Sequence, residues 1–280
     1  WIVLLARDPQ AVYDMNVMAL RIGEHPDVQL PVIVAYDGFF TSHQKRRVQY
    51  FTEDKVVQDF LGPVPPRTTA LDPRHPVTIG PYMNDPDLIN NKYQLHKAME
   101  AARRVIEEVF AEYAELSGRS YPVVDLYRMD DAEAALFVLN SAAETAKDVA
   151  DKLREEGLKV GVVSPNVLRP FPAAPIREAL RHVKAVLVAE RGDSYGAGGG
   201  PMTHEVKSAL KDDPDNKTIV LSRIYGLGGR DFYQDDAEAM FRTALEAAEK
   251  GRADVPFDYY GVTPGTPEKM FAPGTPPLSR

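Results

Sequence analysis

Short apolar runs alternate with amphipathic stretches along most of this chain, and that alternation predicts an α/β protein built on parallel sheets. Residues 1–6 and 30–36 are apolar runs, and residues 8–22 between them repeat apolar side chains at helical spacing. Asp8 and Pro9 are typical of a helix start. Because the run at 30–36 is apolar throughout, we expect it to be buried on both faces of a sheet.

A second α/β unit is predicted after a long connector. Residues 45–87 are rich in proline and lack a regular apolar period, which indicates an irregular segment of functional or interface type. Residues 91–117 predict a long helix that ends at Gly118. Further predicted elements are strands at 134–139, 159–163, 186–189 and 218–221 and helices at 142–156, 176–183, from 201 onward and 234–250.

The predicted organisation is a first domain at residues 1–125, a second at 126–250 and an arm at 251–280. Proline and glycine dominate the arm, so we expect it to lie on a neighbour rather than form a core. The chain starts at Trp1, not at a methionine, and directly in a predicted core strand. This start leads us to expect that an N-terminal portion of the first domain is missing.

Composition narrows the classes of function. The 280 residues suit two domains, and the net charge of -8 argues against a nucleic-acid partner. The chain has no cysteine, which excludes disulfides, thiolate catalysis and any iron–sulfur cluster ligated by its own thiolates. No stretch has the roughly 20 apolar residues of a membrane span, and no signal peptide is visible, so we expect a cytoplasmic protein without a membrane partner.

The stretch at residues 183–200 predicts a strand, a glycine loop and a helix opened by Pro201. Gly196, Gly198 and Gly199 make this loop a candidate anion or partner site at a helix N-terminus. A tight crossover without a ligand is the alternative. The loop lacks the Gly-Lys-Ser/Thr of a phosphate-binding loop and the ribose-binding acid of a dinucleotide site.

Polar residues also follow the predicted strand at 30–36, where open α/β sheets place ligands. Asp37, Thr41, Ser42 and His43 are candidates for a site or an interface, and an Asp-Gly turn with a helix cap is the alternative. We expect Ser42 and His43 not to form a catalytic pair, because side chains adjacent in sequence diverge. Arg169 could clamp an anion or a partner carboxylate, or form a surface ion pair. No histidine pair has the helix-face spacing of a metal site.

Four motifs occur in an order that resembles one family. YDGFFTSH, LRPFP, AERGDSYGAGGGPM and IYGLGGRD are similar to segments of the α subunit of the 2-oxoacid:ferredoxin oxidoreductases, the pyruvate enzymes in particular. The resemblance spans residues 13–231. It implies that the chain carries the later part of a pyrimidine-type thiamine-enzyme domain, followed by a transketolase C-terminal-like domain.

The resemblance also implies chemistry that is shared with partner chains. Such enzymes decarboxylate a 2-oxoacid on thiamine diphosphate with Mg²⁺, pass electrons through iron–sulfur clusters to ferredoxin, and usually transfer the acyl group to coenzyme A. Asn90-Asn91 is present, but the Gly-Asp-Gly that would accompany it in a diphosphate site does not precede it. The resemblance therefore places the diphosphate site on a thiamine-binding β chain. It places the clusters on a δ chain, and a γ chain completes the complex. The family's aminopyrimidine-binding glutamate and substrate-binding arginine match no residue here, so no catalytic residue is expected in this stretch and the chain alone should be inactive.

Three alternatives stay open at this point. The oxalate-specific branch of the family, which does not need coenzyme A, is not separated from the pyruvate enzymes by these motifs. A non-catalytic α/β interaction module would keep the fold without the chemistry. A dinucleotide-dependent dehydrogenase is disfavoured by the missing ribose-binding acid.

Overall fold

Two sheets, each covered by helices, account for the described part of the chain in this computed structural model, which describes residues 1–63, 72–266 and 268. The elements in chain order are β1 (Ile2–Leu5), α1 (Pro9–Glu24), β2 (Val32–Ala35), α2 (Asp54–Leu61), α3 (Asp87–Ser117), β3 (Val124–Tyr127), β4 (Ala134–Phe137), α4 (Ala142–Glu155), β5 (Val160–Pro165), β6 (Val167–Arg169), α5 (Ala173–Leu180), β7 (Ala185–Glu190), α6 (Pro201–Lys211), β8 (Ile219–Ile224), α7 (Gln234–Lys250) and β9 (Phe257–Tyr259).

The first sheet has the strand order β2-β1-β6. β1 and β2 are parallel and joined through α1, as the sequence predicted, and Asp8 caps α1 by accepting a hydrogen bond from the Ala11 N–H at 2.8 Å. β6 comes from the second half of the chain and pairs antiparallel with β1. A strand from the second half therefore ties the two halves together.

The prediction that residues 30–36 are buried on both faces is wrong. β2 is at the edge of its sheet, and all four of its residues keep some exposure, 40% for Ile33. Among the described residues no strand pairs with its outer edge. An apolar run cannot distinguish an edge strand from a central one, because that difference is set by the neighbours that the strand acquires.

A buried carboxylate anchors the helices of the first unit. Asp14 on α1 is fully buried and accepts hydrogen bonds from the hydroxyls of Tyr113 and Tyr121 at 2.6 and 2.5 Å. Arg119 donates to both of its oxygens at 2.7 and 2.8 Å. Burial raises the pKa of Asp14, but the bonds from Arg119 and the two tyrosines outweigh it, so the net pKa lies below the usual value. The charged form of Asp14 is therefore the one that this core holds.

The second sheet has the order β3-β5-β4-β7-β8-β9, and only β3 runs antiparallel to its neighbour. α4 and α7 pack together on one face, and α5 and α6 pack together on the other. The central strands β4 and β7 are buried along their whole length. Their continuous apolar sequences are explained by helices on both faces.

Several short elements differ from the prediction. α2 lies inside the connector predicted as irregular, and α3 begins four residues earlier than expected. β9, in the predicted arm, pairs parallel with β8 of the chain's own sheet, so this part of the arm does not lie only on a neighbour. β3 spans the predicted boundary after residue 125, and the division into 1–125, 126–250 and 251–280 stays a prediction. The rest of the predicted arm, residues 267 and 269–280, lies outside the described residues.

Candidate functional site

The glycine loop ends at a helix whose N-terminus is already occupied by a carboxylate of the chain. Glu190, the last residue of β7, is 4% exposed. Its oxygens accept from the backbone N–H groups of Met202 and Thr203 at 2.7 and 2.9 Å, and from the Thr203 hydroxyl at 2.7 Å. The first turn of α6 is thereby capped in the way that the helix dipole favours. An external anion at these N–H groups would have to displace Glu190.

The glycines of the loop serve two different needs. Gly196 and Gly198 have φ values of 85° and 68°, in the left-handed region, and open space surrounds them. Gly199 also has a positive φ, and a Cβ there would lie 3.0 Å from the Thr203 methyl carbon. Gly200, which the sequence argument did not single out as a site residue, is the most constrained, since a Cβ would lie 2.3 Å from the Glu190 carboxyl carbon. The glycine cluster thus folds the loop tightly onto Glu190.

Asp37 connects the two sheets. Its Oδ2 accepts from the Ser141 N–H at 2.7 Å, at the N-terminus of α4, and its Oδ1 lies 3.9 Å from a guanidinium nitrogen of Arg191. Asp37 follows β2 in the first sheet, whereas Ser141 and Arg191 follow β4 and β7 in the second. A residue predicted as a site candidate therefore joins the carboxyl ends of strands from both sheets.

Arg191 extends this contact to the last motif. Its guanidinium carbon is 5.2 Å from the ring centre of Tyr225, which follows β8 and is 5% exposed. Burial raises the pKa of the Tyr225 phenol to about 12. Gly226 has a φ of 68°, and a Cβ on it would lie 2.8 Å from the Arg191 Nε. Three motifs thus meet in one cluster, which we call the motif cluster: Asp37, Ser141, Arg191, Tyr225 and Gly226.

The loop after Asp37 is a compact exposed turn. Ser42 Oγ accepts from the Phe39 N–H at 3.0 Å and lies 2.6 Å from His43 Nδ1. The expectation that these neighbouring side chains diverge is therefore wrong. The turn places Phe39 at a φ of 60° and stacks its ring on His43, with ring centres 4.5 Å apart. Both Ser42 and His43 are exposed, so the turn presents an aromatic–imidazole surface at the sheet edge.

Arg169 forms an ion pair within the chain, which was the alternative to clamping an anion or a partner carboxylate. On β6 its guanidinium forms an ion pair with Glu205 of α6 at 2.7 Å and lies 5.9 Å from the Phe171 ring centre. Both partners are about one third exposed at their side chains. The structure does not bring Arg169 to the motif cluster by any contact among the described residues, and its carboxylate partner comes from the chain itself.

Three buried side-chain oxygens in the loops after β2, β4 and β7 have no hydrogen-bond partner among the residues that the structure describes: Thr41 Oγ1, Asn140 Oδ1 and Asp193 Oδ1. Thr41 is 4% exposed. The other carboxylate oxygen of Asp193 accepts from the Tyr259 hydroxyl, which raises the pKa of Tyr259 to about 12. Buried polar atoms normally have partners, so these loops can accept donors from water, a ligand or another chain.

The described residues do not form a site for a metal or for a cluster. No group of three or more His, Cys, Asp or Glu side chains among them could hold a metal ion. The absence of cysteine from the whole sequence leaves iron–sulfur clusters without thiolate ligands here. The described side chains therefore supply no metal site of three such ligands, and the chain supplies no thiolate for a cluster. No helix in the part of the chain that the structure describes is long and apolar enough to cross a membrane.

Sequence reasoning missed the residues that organise the site. Glu190, Arg191 and Tyr225 were part of quoted motifs but were not selected as candidates. A buried carboxylate that ends a strand, followed some ten residues later by a helix start, was the available signal for Glu190. Nothing in the local pattern marked Tyr225 as the partner of Arg191.

Two family models match the chain. The one described as pyruvate flavodoxin/ferredoxin oxidoreductase, thiamine diphosphate-binding, covers residues 1–111, and the one described as pyruvate:ferredoxin oxidoreductase core domain II covers residues 132–237. Between them they match well over half of the chain.

Curated relatives agree with the family models. The pyruvate synthase subunit PorA of Thermotoga maritima is 40% identical over 88% of this chain and 62% of its own length. PorA of Pyrococcus abyssi is 36% identical over 94% of this chain and 66% of its own length. The ketoisovalerate oxidoreductase subunit VorA of Pyrococcus horikoshii is 32% identical over 93% of this chain and 65% of its own length. The chain thus spans a little under two thirds of the length of these relatives.

A solved structure shares the fold. The 2-oxoglutarate:ferredoxin oxidoreductase of Magnetococcus marinus, with 2-oxoglutarate, coenzyme A and succinyl-CoA bound, superimposes with a TM-score of 0.53 at 16% identity, over 87% of this chain and 42% of that one. The expected α/β fold of a thiamine-enzyme domain followed by a transketolase C-terminal-like domain is confirmed. The chain belongs to the family of 2-oxoacid:ferredoxin oxidoreductase α subunits.

Proposed function

We propose that this chain acts as the α-subunit portion of a thiamine diphosphate-dependent 2-oxoacid:ferredoxin oxidoreductase that decarboxylates a small, pyruvate-like 2-oxoacid. The observation that carries the proposal is the motif cluster. Three family motifs meet there, and two neighbouring loops carry the unpartnered oxygens of Asn140 and Asp193. These contacts and unpartnered oxygens support an edge that faces a partner or a ligand, and the described residues place no self-sufficient catalytic group on it.

Partner chains supply the chemistry in this proposal. Thiamine diphosphate with Mg²⁺ is held by a β chain and iron–sulfur clusters by a δ chain, with a γ chain in the same cytoplasmic complex and ferredoxin as electron acceptor. The description of the first family model supports the thiamine part, and the absence of cysteine supports clusters on another chain. This chain's role is to position loops against the partners' cofactor sites.

The candidate residues divide among three roles. Asp37 and the glycines Gly196, Gly198 and Gly199 shape the edge, while Ser42 and His43, with the buried Thr41 beneath them, form the turn offered to a partner or ligand. Arg169 braces β6 against α6 through its ion pair. Replacing Gly198 and Gly199 with valine should disturb the loop and weaken subunit assembly. Normal assembly of both variants, measured by size-exclusion chromatography of the co-expressed subunits, would remove this role.

Pyruvate is the proposed substrate because PorA of Thermotoga maritima and PorA of Pyrococcus abyssi are 40% and 36% identical to this chain, whereas VorA of Pyrococcus horikoshii is 32% identical. The test compares kcat/KM of the purified complex for pyruvate, 3-methyl-2-oxobutanoate and oxalate, each with and without coenzyme A. A clear preference for pyruvate that depends on coenzyme A supports the proposal. Turnover of oxalate without coenzyme A would assign the complex to the oxalate branch instead.

A further inference from the structure

Arg223 is a buried cation without a carboxylate partner in the part of the chain that the structure describes. It lies near the end of β8, on the same side of the sheet as Leu221 and beneath α7, and it is 8% exposed. Its guanidinium donates to the backbone carbonyls of Ser222 and Val255 at 2.8 and 3.0 Å. Among the described residues no carboxylate reaches ion-pair distance, and only Asp258 on the adjacent β9 acts on it through its charge.

Two carbonyl bonds do not satisfy a buried guanidinium. The group carries five N–H donors in a planar fork that matches two oxygens of one anion. Taking the charge out of water is costly unless an anion compensates it, and burial here lowers the pKa of Arg223. The Arg223 guanidinium therefore has the properties of a cation that lacks its anion.

A cavity of about 280 Å³ lies beside Arg223, between β8, the last turns of α7 and the segment that leads to β9. Its other charged walls are already paired. Lys250 is bonded to Glu246 and Asp254, and Arg252 lies 3.1 Å from Asp254. Arg223 is the wall cation without such a carboxylate among the described residues, so the lining has one positive charge in excess.

We infer that this cavity binds a small oxyanion through the Arg223 guanidinium. The cavity is slightly smaller than common small-molecule sites, which start at about 300 Å³, and it has room for a phosphate or a small carboxylate. The carboxylates of Glu246 and Asp254 are held by Lys250 and Arg252, which leaves Arg223 to the ligand. No residue of the motif cluster lines the cavity, so this site is separate from the proposed catalytic edge.

The test is equilibrium dialysis of the assembled full-length complex against labelled inorganic phosphate and, separately, labelled succinate, at constant ionic strength set with chloride. Arg223→Met removes the guanidinium fork and replaces it with an apolar, unbranched side chain. Arg242→Met is the matched control, because Arg242 lies on α7, the helix that lines the cavity, but is half exposed and paired with Glu156 and Glu238.

The wild type and Arg242→Met should bind one more anion per α chain than Arg223→Met does. Binding of phosphate alone, of succinate alone or of both identifies the class of oxyanion. Lys250→Gln, which lowers the charge of the lining by one unit without touching Arg223, should weaken the affinity about tenfold (~1.4 kcal/mol). It also keeps the test decisive if Arg223→Met does not assemble. Equal stoichiometry in wild type and Arg223→Met, unchanged affinity in Lys250→Gln, or no binding of either anion by the wild type would overturn the inference.

Discussion

Replacing Glu190 with glutamine should destabilise the second unit more than its small change in size implies. The carboxylate satisfies two backbone N–H groups of α6 and the Thr203 hydroxyl, using both oxygens. Glutamine has a single acceptor oxygen. Its NH₂ group would therefore face a backbone N–H group that now donates a hydrogen bond to the carboxylate. Both groups are buried, and water cannot replace the lost bond.

The expected magnitude follows from the bonds that are lost. A hydrogen bond to a charged group contributes about 1.5–3 kcal/mol, and a charge at a helix N-terminus adds about 0.3–1 kcal/mol. Losing one such bond together with the charge gives about 2–4 kcal/mol for Glu190→Gln. Glu205→Gln is the matched control, since Glu205 forms a partly exposed ion pair with Arg169 that is worth under about 1 kcal/mol.

Urea unfolding of the assembled protein, followed by circular dichroism, measures the free-energy difference. Hydrogen exchange at the Met202 and Thr203 amides tests the local origin of the effect, because one of these two N–H groups loses its acceptor. At least one of the two amides should exchange faster in Glu190→Gln, and both should exchange at the wild-type rate in Glu205→Gln. If Glu190→Gln stays within about 0.5 kcal/mol of the wild type, as ordinary surface changes do, the cap is not what holds the loop.

Three further predictions concern other buried groups. Asp14→Ala should cost about 3–5 kcal/mol in urea unfolding, because it leaves the Arg119 charge and two tyrosine hydroxyls without their acceptor; a loss under 1 kcal/mol would contradict the network. Burial raises the pKa of Tyr225 from 10.0 to about 12, so the contribution of this phenol to stability is intact below pH 10 and is lost as the pH rises towards 12. Tyr225→Phe should therefore flatten the alkaline limb of a stability–pH curve. An unchanged limb would refute this. Gly200→Ala should lower the melting temperature of the complex much more than Gly196→Ala. The new Cβ at position 200 would lie 2.1 Å from the Gly192 carbonyl oxygen, whereas the Cβ at position 196 would meet open space. Equal shifts of the two variants would contradict the close approach at Gly200.

Sequence periodicity predicted the long elements well. α1, α4, α6 and α7 lie close to their expected positions because each buries a continuous apolar stripe. β3, β6 and β9 were missed, and each has only three or four residues. Each of the three contains a charged residue, unlike the equally short β1, β2 and β4, which are apolar throughout, and the pairing of β6 with β1 depends on a contact between distant parts of the chain.

The candidate site was predicted in location but not in its connections. Asp37 and the glycine loop do lie at the carboxyl ends of strands, as the general rule for open α/β sheets states. The contacts from Asp37 to Ser141 and Arg191 join residues more than 100 positions apart, so no local pattern could contain them. The contact between Ser42 and His43 arises from a turn in which Phe39 has a positive φ. Because position 39 is not a glycine, the sequence does not predict this backbone conformation.

The most direct test of the proposed function uses the chain as bait. An affinity-tagged copy is co-expressed with its native partner subunits, and the purified assembly is assayed for reduction of methyl viologen by pyruvate with coenzyme A, beside the tagged chain purified alone. The assembly should turn over pyruvate, and the chain alone should show no turnover. An assembly that contains no thiamine diphosphate or iron and turns over no 2-oxoacid would contradict the proposed function, and the chain would then be an α/β interaction module that kept the family's fold.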